Sequence, residues 1–342
     1  MARMEHDNII SDIDFIITWV DGSDIEWQRE KFKYQNRDSQ ISKEINNDDV
    51  RYRDWDILNF WFRAVETYAP WVRKIHFVTC GQIPKWLNIK HPKLNIVKHS
   101  DYINAEYLPT FNSHVIELNF HRIEGLSEKF VYFNDDMFLN APVEAEDFFV
   151  NELPCDSAIM NTIKMDRFGI PNIIVNNLCI ISYYFNFREQ FKKNFSKWIN
   201  LRYGMFMMRT LCLLPWNIYS GFYEPHVAMS FLKSTYKDVW EKEEELLNTV
   251  CSHRFRSKED VNPWLMRYWQ LASGKFCPVS PKRSKFYSVD NDLDSVTNDI
   301  MHHKHKMICI NDSEKLSDFD KAKELIRSTY QNVFPEKSAY EL

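Results

Sequence analysis

Residues 130–139 read Phe-Val-Tyr-Phe-Asn-Asp-Asp-Met-Phe-Leu, and the elements around them can be placed outward from this stretch. The first four residues are aromatic or β-branched and follow a Gly-Leu-Ser turn at 125–127, so they predict a buried strand. Asn134, Asp135 and Asp136 end the strand. A hairpin turn is the alternative, but adjacent Asp residues repel each other, so we favour a binding site. Oxygen ligands at the carboxyl end of a strand suit Mg²⁺ or Mn²⁺ with a phosphate.

The composition indicates one large globular domain over residues 1–342, because 44% of the residues are hydrophobic. The net charge of −5 argues against a general electrostatic attraction to nucleic acid or to anionic membranes. With only 7 Gly, the protein has neither a Walker loop nor a GxGxxG fingerprint, and a GxSxG elbow is also absent. The 7 Cys lack CxxC spacing, which argues against disulfides or a zinc site. Because we find no signal-like or membrane-spanning apolar run, we expect a cytoplasmic enzyme.

Short apolar runs alternate with helical patterns along most of the sequence, which predicts an α/β fold with a mostly parallel sheet flanked by helices. The predicted strands are 14–20, 74–79, 95–99, 130–133 and 306–310, and the predicted helices include 26–34, 57–68 and 317–334. Asp54 stands where the N-cap of helix 57–68 is expected.

Residues from about 143 to 275 interrupt this alternation and indicate a largely helical, aromatic-rich insertion within the domain. The most apolar run, residues 204–216, is too short to span a bilayer and fits a buried helix or a shallow membrane contact. We expect burial, because helices at a membrane surface usually carry more Lys and Arg than this run does.

Polar clusters stand at the ends of several predicted elements, and a shared strand direction would bring them to one rim of the sheet. They are Asp21 with Asp24, Arg51 with Asp54, residues 134–136, and Asn311 with Asp312. His226 follows a Pro at an expected helix start, where nearby N–H groups would keep the imidazole neutral and able to accept a proton. A lone His is more often structural, so this pattern alone favours a structural role.

Four segments, in order, resemble the conserved regions of the Stealth proteins. The first is residues 13–24, which end in Trp-Val-Asp-Gly-Ser-Asp; the others lie within 51–136, 224–256 and 308–335. Asp21, Cys80 and Asn112 stand where the family more commonly has Asn, Asn and Ser. The resemblance covers nearly the whole sequence except about 143–220.

This resemblance implies a GT-A-like or Rossmann-like sheet and a sugar-1-phosphate transferase, as in bacterial capsule enzymes and the animal enzyme that tags lysosomal proteins. An acceptor sugar hydroxyl would attack the β-phosphorus of a UDP-hexose or UDP-N-acetylhexosamine, forming a phosphodiester and releasing UMP. Such a displacement needs positioning and charge neutralisation rather than covalent help. The acceptor would be an oligosaccharide or a lipid-linked glycan, and the latter would bring the enzyme to the inner face of the membrane.

The resemblance also implies roles for individual residues. Asp54, His226 and Arg256 would be catalytic, and either Asp54 or His226 would take the acceptor proton. The implied metal ligands are Asp135, Asp136 and Asp312, and the expected acceptor contacts are Thr110, Asn112 and Ser113. The implied donor-binding residues are Trp19, Val20, Asp21, Gly22, Asp24, Arg51, Gly81, Gln82 and Asn134.

Two other functions remain open at this point. A glycosyltransferase with a GT-A-like sheet would transfer the sugar alone and release UDP instead of UMP. A carbohydrate-binding protein without activity would use the aromatic surface, although it would not need Asp, Arg and His at so many element ends.

Overall fold

Five strands form the central sheet of the computed structural model, which describes residues 12–35, 53–166, 169–312 and 316–342. The strands are β1 (Ile13–Thr18), β2 (Ile75–Thr79), β3 (Leu94–Lys98), β4 (Lys129–Phe133), β5 (Met137–Leu139), β6 (Phe149–Val150), β7 (Leu153–Asp156), β8 (Met229–Leu232), β9 (Cys277–Pro278), β10 (Ser284–Ser288) and β11 (Met307–Asn311). The central order is β3-β2-β1-β4-β8, and only β8 pairs antiparallel. The predicted α/β class with a mostly parallel sheet is confirmed.

Helices surround this sheet and supply much of the core. They are α1 (Ile25–Gln35), α2 (Leu58–Tyr68), α3 (Ser113–Leu118), α4 (Ile170–Tyr184), α5 (Phe187–Lys193), α6 (Phe195–Trp198), α7 (Met207–Leu213), α8 (Lys233–Lys242), α9 (Glu244–Ser252), α10 (Trp264–Ser273), α11 (Val289–His302) and α12 (Phe319–Val333). The sequence predicted that Asp54 is the N-cap residue of α2, but the N-cap residue is Ile57. The Asp54 carboxylate instead accepts a hydrogen bond from the Asp56 N–H at 2.6 Å.

Strand β4 is buried along its whole length, because a hydrophobic core lies on each face of the sheet. Val131 and Phe133 pack into one core with α2 and α12, whereas Phe130 and Tyr132 pack into the other with α8 and α10. A strand covered on both faces needs apolar side chains at successive positions, which explains the unbroken aromatic and β-branched run.

A second sheet begins where β4 ends. Its order is β10-β11-β5, and β5 pairs antiparallel with β11. Residues 134–136 are the only link between β4 and β5, and the Asp136 C=O accepts a hydrogen bond from the Ile310 N–H at 2.8 Å. The Asn-Asp-Asp motif is therefore the junction between two sheets, which the sequence did not reveal.

The stretch from 143 to 275 contains seven of the described α-helices, α4 to α10. It also contains β8, which extends the central sheet along β4. In the ranges that the structure describes, no helix is long and apolar enough to cross a bilayer.

The prediction that residues 204–216 form a buried helix is wrong. This segment comprises the short helix α7 and 3₁₀ turns on either side of it, and only Thr210 in it is buried. Met205 is 78% exposed and Trp216 is 65% exposed. An apolar run indicates that burial of the segment would be favourable, but it does not show whether the rest of the protein covers the segment.

Candidate active site

A pocket of about 1040 Å³ lies at the carboxyl ends of β1, β2 and β4, where open α/β sheets bind ligands. It collects side chains that are far apart in the sequence. Its predicted site residues are Trp19, Val20, Asp54, Thr110, Ser113, Asn134, Asp135, Asp136, His226, Arg256 and Asp312. The pocket also has walls of Trp55, Trp264 and Phe286, which give it apolar surface beside its charges.

The two Asp residues of the sheet junction form the most electrostatically strained part of the pocket. Desolvation, with the negative charges of Asp136 and Asp54, raises the pKa of Asp135 to about 7. The Asp135 side chain is open to the pocket, so this effect depends on the depth of the pocket rather than on close cover by protein atoms. In the part of the protein that the structure describes, neither Asp forms an ion pair with a Lys or Arg.

The surroundings of the Asp136 carboxylate are those of a possible cation ligand. Its buried Oδ1 has no hydrogen-bond partner among the described residues, whereas its Oδ2 accepts a weak hydrogen bond from the Cys309 thiol at 3.3 Å. The His226 Nε2 lies 3.9 Å from the same Oδ2. Potential ligand atoms of Asp136, His226 and Cys309 all lie within 4.8 Å of one another.

These donors fit a hard divalent cation better than a soft one. Burial and the charges of Asp136 and Asp135 raise the pKa of the Cys309 thiol well above its ordinary value, so the thiol is protonated and a poor ligand. Two carboxylates that pair with no Lys or Arg in the described ranges suit Mg²⁺ or Mn²⁺. Asp312, the third predicted ligand, also lines the pocket, and its carboxylate lies 3.6 Å from Arg53.

Asp54 enters the pocket from the loop that precedes α2. Desolvation raises the pKa of its carboxyl, and the negative charges of Asp56 and Asp21 add to this effect. A carboxyl with a raised pKa is a better proton acceptor near neutral pH than an ordinary Asp. The position of Asp54 is fixed in part by Lys323, which donates a hydrogen bond to its backbone carbonyl oxygen at 3.0 Å.

We predicted that His226 begins a helix. It lies instead in the loop before β8, with a left-handed φ of 48°. The helix N–H groups that we expected beside the imidazole are therefore not in that position. Its ring packs edge-on against Phe286, with centroids 5.5 Å apart, and its side chain is 35% exposed. A strained, aromatic-flanked His in a pocket is unusual for a purely structural residue.

A buried ion network holds the loop that carries His226. Arg267 is 2% exposed and donates to Asp156 at 2.7 Å and to Glu224 at 2.8 Å. Glu224 lies two residues before His226 and lines the pocket. This network anchors the loop two residues before His226.

Sequence reasoning missed Glu117, which lines the opposite side of the pocket on α3. Desolvation raises its pKa to about 7, although the Arg256 charge and the Tyr132 hydrogen bond oppose the shift. Tyr132 donates to Glu117 at 2.8 Å, and Arg256 donates to the Ser113 hydroxyl at 2.7 Å. One signal was available, because Glu117 follows Ser113 by four residues and so shares its helix face.

Asn112 has a different environment from its neighbours Thr110 and Ser113. It is fully buried and does not line the pocket. Its amide donates to Asp260 at 2.9 Å and to the backbone oxygens of His253 and Phe255. These bonds tie the start of α3 to the loop that carries Arg256, so Asn112 has the geometry of a positioning residue.

Several predicted donor-binding residues lie behind the pocket wall rather than on it: Asp21, Gly22, Asp24, Gly81 and Gln82. Gln82 joins the loops after β1 and β2, since it accepts from the Asp21 N–H at 2.8 Å and donates to Asp24 at 2.9 Å. Asp24 also accepts from the Glu26 N–H at the start of α1. Trp19 and Val20 reach the pocket from this braced loop. Arg51 lies outside the described residues.

Comparison with known proteins identifies the family. The models of Stealth protein conserved regions 1, 2 and 4 match residues 11–39, 51–155 and 298–342. The assignment of 224–256 to a third region stays a prediction. A solved galactosyltransferase, LgtC in complex with donor and acceptor sugar analogues, aligns with 92% of this chain and 95% of its own, but its TM-score of 0.39 and 8% identity are too low to support a conclusion.

Three curated relatives align over nearly full length. The capsular polysaccharide phosphotransferase WcwK of Streptococcus pneumoniae is 44% identical over 96% of this chain and 98% of its own. The exopolysaccharide phosphotransferase cps2G of Lactiplantibacillus plantarum is 41% identical over 96% of both chains. The receptor polysaccharide phosphotransferase WefC of Streptococcus oralis is 39% identical over 96% of this chain and 99% of its own. The chain therefore belongs to the Stealth protein family.

Proposed function

We propose that this enzyme transfers a sugar 1-phosphate from a nucleotide sugar to a hydroxyl of a polysaccharide precursor. The observation that carries the proposal is one pocket that combines Asp135 and Asp136 with Arg256 and His226. Phosphoryl transfer needs positive charge around the phosphates and a group that takes a proton from the acceptor. The names of relatives that align along nearly the whole sequence support phosphotransfer to a polysaccharide.

The reaction forms a bond between the acceptor oxygen and the β-phosphorus and breaks the bond from that phosphorus to the bridging oxygen. The bridging oxygen leaves on UMP, and the acceptor proton passes to His226 or Asp54. Arg256 neutralises phosphate charge from the side of α3. Mg²⁺ or Mn²⁺ held by Asp135 and Asp136, with Asp312 nearby, would add positive charge beside the diphosphate.

The donor in this proposal is a UDP-hexose or a UDP-N-acetylhexosamine. Trp19, Trp55 and Trp264 line the pocket and offer aromatic faces on which a base or sugar ring can stack. The acceptor is an oligosaccharide or a lipid-linked glycan. A lipid-linked acceptor would place the reaction on the cytoplasmic face of the membrane.

The test is to incubate the protein with a panel of UDP-sugars, Mg²⁺ and an oligosaccharide acceptor, and to identify the nucleotide and the linkage formed. We expect UMP and a phosphodiester product. His226→Gln should lose this product, while Asp320→Asn, which changes an exposed acid on α12, should keep it. Release of UDP as the only nucleotide would mean glycosyl transfer and would overturn the proposal.

A further inference from the structure

We propose that residues 187–218 form a surface that docks on an anionic lipid bilayer beside the mouth of the pocket. The segment runs from α5 through α7 to the loop before Tyr219. Docking itself does not depend on the proposed chemistry, whereas its use in delivering a lipid-linked acceptor rests on the proposed function.

Exposed apolar side chains are concentrated in and next to this surface. Of the 17 large hydrophobic side chains that are exposed in the described ranges, nine lie between residues 165 and 218. Six of them fall within 18 residues: Leu201, Met205, Met208, Leu211, Trp216 and Ile218. Single exposed hydrophobics are ordinary, but such a concentration marks a surface that is covered by something.

The surface is fixed to the domain and is not a loose loop. Tyr203 is buried, donates to the Lys197 C=O at 2.6 Å and accepts from the Ala158 N–H at 3.1 Å. Thr210 is also buried and accepts from the Met160 N–H at 3.0 Å. These polar anchors point inward, so the apolar side chains between them are held outward.

The charge of the same segment indicates what covers it. Residues 187–218 contain six basic side chains and one acidic side chain, although the net charge of the whole protein is −5. Arg188, Lys192 and Lys193 are exposed on α5, and Arg202 and Arg209 are exposed within the apolar part. Basic residues interleaved with Met, Leu and Trp match the interface of an anionic bilayer, which takes up both kinds of side chain.

Residues 204–216 hold a single basic residue, Arg209, which is why the sequence of this run alone favoured burial over a membrane contact. The structure links the run to the basic helix before it. Phe187 of α5 and Leu213 and Leu214 of the run pack into the same hydrophobic core. The charge that an interfacial segment needs therefore lies on an adjoining element rather than within the run.

The surface also adjoins the pocket. The Phe206 ring lies 5.0 Å from the Tyr223 ring, and Arg209 lies over both rings. Tyr223, Glu224 and His226 line the pocket. A bilayer that contacts 187–218 would therefore present the head group of a lipid-linked acceptor on the side of the pocket where His226 stands.

The experiment is flotation of the full-length protein with vesicles of phosphatidylcholine alone and with vesicles that contain about one third phosphatidylglycerol. We expect binding only to the anionic vesicles, and weaker binding as salt is raised. The triple variant Met205→Ser, Leu211→Ser, Trp216→Ser should lose roughly tenfold or more in affinity. The matched control Phe32→Ser, Ile89→Ser, Leu325→Ser removes exposed apolar side chains elsewhere and should bind as the native protein does.

A second measurement guards against misfolding of the triple variant. Hydrogen exchange of the native protein should slow within 201–218 when anionic vesicles are added, and should not change around Ile89. Equal binding by the triple variant and its control would overturn the proposal. So would a native protein that ignores vesicles but forms a dimer that the triple variant loses, because a second copy of the protein would then cover the surface.

A measurement of turnover distinguishes failure of the docking proposal from failure of the proposed function. The triple variant should keep its activity on a water-soluble acceptor and lose activity on an acceptor embedded in anionic vesicles. Failure of the native protein to release nucleotide from any donor would overturn the proposed chemistry alone, since vesicle binding is measured without a donor.

Discussion

The carboxylates at the two ends of the central sheet lie in opposite environments. At the amino ends of the strands, Asp14 is fully buried and accepts hydrogen bonds from Arg73 at 2.8 Å and from the Ser127 N–H at 2.8 Å, with the His76 Nε2 at 3.0 Å. Burial alone would raise the pKa of Asp14, but the hydrogen bonds from His76 and Arg73 outweigh it and hold the pKa below its ordinary value.

At the carboxyl ends, Asp135, Asp136 and Asp54 lie in one pocket. In the described ranges no Lys or Arg side chain donates to their carboxylates, and the His226 Nε2 lies 3.9 Å from Asp136. The pKa of Asp135 rises to about 7, first through desolvation and then through the neighbouring acids. Asp14 thus has both an Arg and a His partner, whereas in the described ranges none of the three pocket carboxylates has such a pair. The difference indicates that Asp14 stabilises the fold, and it supports the proposal that the pocket acids bind a cation.

Of the substitutions that distinguish the two ends of the sheet, Asp136→Asn should have the largest effect. Removal of this charge should lower kcat by about 10³-fold, because a cation would lose a carboxylate ligand beside the reacting phosphate. The melting temperature should stay the same or rise, since Asp135 loses a like-charged neighbour. Steady-state kinetics and thermal unfolding measure the two effects, with Asp320→Asn as control. Near-native turnover would refute the assignment of a cation site to the junction.

Asp14→Asn should show the reverse pattern. We expect a loss of about 3 kcal/mol in unfolding free energy at neutral pH, because Arg73 and His76 lose a buried partner. Activity per folded molecule should be unchanged. Since the folded pKa of Asp14 lies below the ordinary 3.8, its stabilisation is present above about pH 4 and is lost as the pH falls further.

Urea unfolding at pH 7 and in the acid range tests this expectation. The native protein and the variant should differ most at pH 7 and converge as Asp14 becomes protonated. A variant that is as stable as the native protein at pH 7, or that loses turnover while it remains folded, would contradict the division of roles between the two ends.

Glu117→Gln should have an effect of similar size on stability, with the opposite pH dependence. The folded pKa of about 7 exceeds the ordinary 4.5, so the native protein loses stability as the pH rises between these values. The variant should therefore be more stable than the native protein by about 3 kcal/mol at pH 8 and about equal to it at pH 4. Thermal unfolding at both pH values measures this. A constant difference across pH would mean that Glu117 does not titrate in this range.

The smallest effect is expected for Asn112→Ala. Loss of its hydrogen bonds to Asp260 and to the 253–255 backbone should cost about 1 kcal/mol of stability. KM for the donor should rise more than kcat falls, because Arg256 would be less well held. The control is Asn248→Ala on α9, which removes the acceptor of a hydrogen bond from the Tyr107 hydroxyl. A fall in kcat with no change in KM would assign Asn112 a role other than positioning.

Local patterns predicted the parts of the molecule whose cause is local. The runs at 14–20 and 130–133 supply the strands β1 (Ile13–Thr18) and β4 (Lys129–Phe133), because successive apolar side chains suit a sheet covered on both faces. The polar clusters that follow them meet in one pocket because parallel strands share a direction.

Errors arose where a distant segment decides the outcome. β8 lies beside β4, so the residues after His226 form a strand, although their spacing had favoured a helix. In residues 204–216 only Thr210 is buried, because no other element covers the outer side chains such as Met205 and Trp216. Glu117 was missed because its raised pKa depends on cover supplied by other parts of the protein.

The junction at 134–136 has a consequence for the order in which the protein is made. Asp136 meets Cys309 of β11, 173 residues further along the sequence. At about 5–20 residues per second, roughly 10 seconds or more of translation separate the two. A nascent polypeptide with β1 to β4 already formed therefore lacks one wall of its pocket until β11 has left the ribosome.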